Sequence, residues 1–168
     1  MTPNDMVLTP MGLRFGGRVF ACNMGKSGVT RDKREGDGAT PAGDHGIVGC
    51  LYRRDRLARP CDWAVAIGPS DLWSDDPGDE DYNLLVRAPY AHSHERLARA
   101  DRQYDLILVT DWNWPRAVRG RGSAIFIHVW RGPGQPTAGC IALGKHNLLW
   151  IVRRLRFGCR LIVPAGLA

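Results

Sequence analysis

Residues 120–143 read GRGSAIFIHVWRGPGQPTAGCIAL. Ala124 to Trp130 is apolar apart from His128, which predicts a buried, central strand with one titratable group near its end. Gly132 to Pro136 is a Gly/Pro loop, and Cys140 follows twelve residues after His128. A loop of that length can fold back so that imidazole and thiol meet. A neighbouring imidazole favours the thiolate, the reactive form of cysteine. Gly139 permits a sharp turn, after which nearby backbone amides could face a developing oxyanion. The bland alternative is a strand histidine and a loop cysteine that meet by chance, with Gly139 serving chain geometry only.

The flanking sequence is punctuated by turns. Twenty Gly and eleven Pro in 168 residues argue against a helical bundle. Met11 to Cys22 reads as a hairpin about Gly16-Gly17, and Arg31 to Gly43 as a polar loop. Strands are expected at Gly46–Tyr52, Ala64–Ile67, Asp105–Thr110 and Leu161–Val163. Ser70 to Tyr82 reads as acidic and turn-rich. Ser93 is placed to cap a short helix running to about Asp101, and Lys145 to Arg156 reads as a second helix. The expected class is mainly β with a few helices (α+β), a sandwich or barrel-like sheet, in one domain over residues 1–168.

Formal net charge is +6, carried mostly by arginine. The arginines are scattered and interleaved with aspartates, as in Arg53-Arg54-Asp55-Arg56, with no dense basic run. Nucleic acid is therefore not an expected partner. No apolar run reaches the roughly 18 residues that span a bilayer. Cys22, Cys50, Cys61, Cys140 and Cys159 include no CxxC pair, so a metal site is not expected. Four of the five read as structural, and Cys140 stands apart.

The stretch also resembles the L,D-transpeptidase catalytic domain, the YkuD-like family of cysteine enzymes acting on bacterial cell-wall peptides. The family pattern of a histidine, a Gly/Pro loop and Ser/Thr-x-Gly-Cys is matched by His128 and Thr137-Ala138-Gly139-Cys140. Gly38-Ala39-Thr40-Pro41-Ala42-Gly43 and Gly120-Arg121-Gly122-Ser123 look like further family blocks. Tyr82-Asn83, Ser93-His94-Glu95 and Asp111-Trp112-Asn113 resemble one Gram-negative branch. Two positions depart from the pattern: Ala138 stands where the family usually has His, and Ala142 where many members have Arg or Asn.

The resemblance implies a YkuD-like β-sandwich and no cofactor. It implies Cys140 as nucleophile, His128 as base, the Val129 carbonyl as the group that orients the imidazole, and the Gly139 and Cys140 amides as oxyanion hole. Thr137, Arg121 and Trp130 are candidate substrate contacts. The implied substrate is a murein peptide with meso-diaminopimelate joined to D-alanine, and carbapenem-type inhibitors are expected to acylate such a site.

The sequence begins Met-Thr-Pro-Asn-Asp without a basic and then apolar leader, which gives the expectation of a cytoplasmic protein. That favours L,D-carboxypeptidase action, tetrapeptide to tripeptide, in peptidoglycan recycling. An exported, periplasmic L,D-transpeptidase forming 3-3 crosslinks is one alternative. A non-catalytic wall-peptide binding module is another.

Overall fold

The computed structural model describes residues 2, 4–156 and 158–168. Its strands are β1 (Met6–Thr9), β2 (Gly12–Phe15), β3 (Arg18–Phe20), β4 (Cys22–Asn23), β5 (Val29–Thr30) and β6 (Thr40–Pro41). The long β7 (Gly43–Tyr52) follows, then β8 (Ala64–Ala66), β9 (Asp71–Ser74), β10 (Leu85–Arg87) and β11 (His94–Arg96). The chain continues through β12 (Leu106–Thr110), β13 (Phe126–Val129), β14 (Ile141–Leu143), helix α1 (Lys145–Val152) and β15 (Arg160–Val163).

The architecture is mainly β, and β7 is its hinge. The first part of β7, Gly43 to Gly46, pairs with β15, which continues the sheet to β1, β2 and β3. Its second part, Ile47 to Tyr52, pairs with β12, which leads on to β13, β14 and β4. The two leaves face each other across one core. Met6, Leu8, Leu13 and Phe15 from one leaf meet Leu106, Leu108, Ile127, Val129, Ile141 and Leu143 from the other. Helix α1 adds Leu148, Ile151 and Val152 to this core.

Period-two alternation decides where the chemistry lies. In β13, Ile127 and Val129 point into that large core. Phe126 faces a second cluster with Trp73, Leu97, Tyr104 and Ile107, and His128 shares its side of the strand. A three-stranded sheet, β10-β9-β11, covers this second face.

The strand expectations hold to within a few residues, and the hairpin forms about Gly16 (φ +56°) and Gly17 (φ +75°), a turn requiring positive φ at both. Two helix expectations need correction. Ser93 to Asp101 forms no helix: His94–Arg96 is a strand paired with β9, Glu95 opposite Trp73. The apolar pair Leu72-Trp73 within the acidic stretch builds β9, and pairing to it overrides the local capping preference. Helix α1 ends at Val152, not Arg156. Leu155 still reaches the core, so the apolar period runs on through a turn that is no longer helical. The strand β1 carries no expectation from the sequence. Truncating the fully buried Ile127 to Ala should cost about 2–5 kcal/mol in urea unfolding.

Candidate active site

Parallel pairing of β13 with β14 sets His128 opposite Ala142 and leaves Cys140 one residue before β14 begins. His128 and Cys140 line a single cavity of about 180 Å³, together with Glu95, Arg99, Gln103, Tyr104 and Arg131. Thr137 lines it too, from the turn before the cysteine. A second cavity of about 80 Å³ touches the other side of Cys140 and is lined by Lys33, Glu35, Asp75 and Glu95 among others.

The sulfur is held by backbone. Sγ donates to the Ala124 carbonyl at 3.1 Å and accepts the Phe126 N–H at 3.3 Å. Burial pushes the thiol up to about 12, and the nearby Glu95 carboxylate adds to the effect; the Phe126 N–H and Lys33 pull the other way. His128 is 5 % exposed, and its Nδ1 lies 2.9 Å from the Val129 carbonyl. In the neutral ring Nδ1–H donates to that oxygen and Nε2 carries the free lone pair. Burial lowers the imidazole to about 4, against a smaller upward pull from the Val129 carbonyl. The resting pair is therefore thiol and neutral imidazole. This differs from the thiolate expected from proximity alone, because desolvation penalises both charged forms.

The turn that presents Cys140 is sewn in place. The Thr137 hydroxyl donates to the Cys140 carbonyl at 2.6 Å and accepts the Gly139 N–H at 3.1 Å. That second bond gives the Gly139 amide a partner within the turn. Gly139 has φ +149°, and a Cβ there would come within 2.8 Å of the Ala39 carbonyl oxygen. Thr40, fully buried, accepts the Gly25 N–H at 2.9 Å and donates to the Gly139 carbonyl at 2.8 Å. Asn83 accepts the Ala124 N–H at 2.9 Å and holds Ala124 at φ +50°, which aims the carbonyl that receives the thiol.

Two expected substrate contacts lie elsewhere. Arg121 stacks on Trp112, its guanidinium carbon 5.3 Å from the ring centroid, and lines neither cavity. Trp130 is half-buried over Gly144 and lines neither. Glu95, Arg99 and Tyr104 take their places on the wall. Sequence reasoning missed them as site residues because the wall depends on β11 being a strand. Among the described residues no group of three or more His, Cys, Asp or Glu is arranged to hold a metal ion. No helix is long and apolar enough to cross a membrane.

The family model of the L,D-transpeptidase catalytic domain (YkuD) matches residues 11–163. The chain belongs to this family, whose activity is L,D-transpeptidase-type chemistry on peptidoglycan. No curated protein and no solved structure matches it.

Substituting Gly139 by Ala should lower the melting temperature and cut activity at least tenfold, read by thermal denaturation and a turnover assay. The neutral resting pair has its own signature in kcat/KM, which should stay level between pH 6 and 9 and fall only as His128 takes a proton near pH 4. Stability should fall earlier, as pH drops from about 6.5 to about 4. The unfolded imidazole binds a proton from about pH 6.5 downwards and the folded one resists it, a difference of about 3 kcal/mol by pH 4. His128→Asn should flatten that part of the curve in urea titrations.

Proposed function

We propose that the protein is a cysteine L,D-carboxypeptidase that removes D-alanine from meso-diaminopimelate in murein tetrapeptides. The observation that carries the reading is one cavity lined by both His128 and Cys140. The second cavity at the nucleophile, about 80 Å³, gives water another approach to the sulfur. This favours water over an amine as the acyl acceptor.

The steps follow from the groups present. The Cys140 thiol turns from the Ala124 carbonyl and gives its proton to Nε2 of His128 as sulfur attacks the scissile carbonyl. The Cys140 N–H faces the oxyanion. His128 returns the proton to the departing amine, D-alanine leaves, and a thioester remains on Cys140. His128 then takes a proton from water, which attacks the thioester; the C–S bond breaks, the tripeptide leaves, and His128 returns the proton to the Cys140 sulfur. The Val129 carbonyl holds the imidazole in the tautomer this requires, while Thr137 shapes the turn. Such an enzyme acts on soluble peptides, the pool available in the cytoplasm; cell fractionation tests that location.

Incubating purified protein with free tetrapeptide should yield tripeptide and D-alanine by mass spectrometry. Cys140→Ala should abolish the reaction, and His128→Ala should slow it about 10²-fold or more. Accumulation of crosslinked dimers without tripeptide would select the transpeptidase. No turnover, together with no acylation by a carbapenem on intact mass, would select the binding module.

A further inference from the structure

Arg99 and Glu95 carry opposite charges, line the same cavity as the nucleophile, and make no ion pair with each other among the described residues. Tyr104 keeps them apart. Its hydroxyl donates to Glu95 Oε2, while the Arg99 guanidinium lies over its ring, 5.1 Å from the centroid. Both groups are fixed from behind. Asp101 grips Arg99 through Nε at 3.0 Å and Nη2 at 2.6 Å. The backbone of this wall is strapped as well. Arg53 donates to the Arg99 carbonyl at 2.7 Å, and Arg56 donates to the carbonyls of Asp101 at 2.7 Å and Ala100 at 3.1 Å. Arg56 itself is anchored on Asp105, a residue 1 % exposed that also pairs with Lys145 at the start of α1.

Two opposite charges in one small cavity would normally collapse onto each other. Holding them separate, with each carrying unused hydrogen-bonding capacity, suits a ligand that is itself dipolar. We infer that this wall recognises a zwitterionic amino-acid head, an ammonium and a carboxylate on one carbon, with Arg99 receiving the carboxylate and Glu95 the ammonium. The inference rests on the reading above, under which the side-chain end of the donor's diaminopimelate is such a head. It makes Arg99 and Glu95 specificity-determining residues. Arg131, exposed and bonded through Nε to Gln103 at 3.3 Å, lies on the same wall as a second cation for the carboxylate.

The test is calorimetric binding to the inactive Cys140→Ala protein. Three tetrapeptides are compared: one with diaminopimelate third, one with lysine there, lacking the side-chain carboxylate, and one with the diaminopimelate side-chain amine acetylated. Each analogue should bind at least tenfold more weakly than the parent. Adding Arg99→Gln should remove the discrimination against lysine, and adding Glu95→Gln the discrimination against the acetylated peptide. Equal binding of all three peptides, binding of none, or discrimination that survives both substitutions would overturn the inference. Turnover of the parent peptide by the unaltered protein is a separate readout, so loss of selectivity with intact cleavage condemns this inference alone.

Discussion

Desolvation of two reactive groups is the constraint around which the site is organised. His128 is on a strand buried on both faces, and Cys140 is in the turn that enters the neighbouring strand. Taking either group out of water raises the cost of its charged form. Burial thus favours the neutral thiol and the neutral imidazole, so neither needs a counter-ion. In the proposed reaction the sulfur becomes nucleophilic when a carbonyl arrives and the imidazole can accept the proton as the new bond forms.

Such a pair is useful only if the backbone carries the positional work, and here it does. The thiol is aimed by the carbonyl of Ala124, which occupies a conformation unusual for a residue with a side chain and is held there by Asn83. The cysteine turn is closed by Thr137 and pressed against Ala39, a contact distance that only glycine at 139 allows. Thr40 joins the two halves of this arrangement through a buried hydroxyl with both of its bonds made. Two of the blocks that carry the family resemblance, Gly38 to Gly43 and Thr137 to Cys140, are therefore parts of one assembly around the sulfur, although they are far apart in the chain.

Much of this was legible in the residues. The apolar run at 124–130 gives the central strand and the place of His128 near its end. The glycine pair at 16–17 gives the hairpin. The block from Thr137 to Cys140 gives the turn. What escaped is non-local. Nothing near Ser93 announces that Leu72 and Trp73, inside an acidic stretch, offer a strand edge, so a cap signal reads as a helix. With β11 misread, Glu95 and the Tyr104 wall fall out of view, while Arg121, read as a holder of substrate carboxylates, and Trp130, read as a groove residue, line neither cavity. The partner of the Gly139 N–H also escaped, for a local reason: a threonine two residues earlier accepts it. The resting thiol could not be read from spacing, since its protonation depends on burial that only the folded sheet supplies.

The covalent role of Cys140 is open to direct observation by rapid-quench intact-mass spectrometry of the protein mixed with tetrapeptide. A transient species heavier by one tripeptidyl group, mapped to Cys140 and decaying as free tripeptide appears, is the expected result. Tripeptide released at full rate with no such adduct at any time, or an adduct on another cysteine, would contradict the assignment of Cys140 as nucleophile.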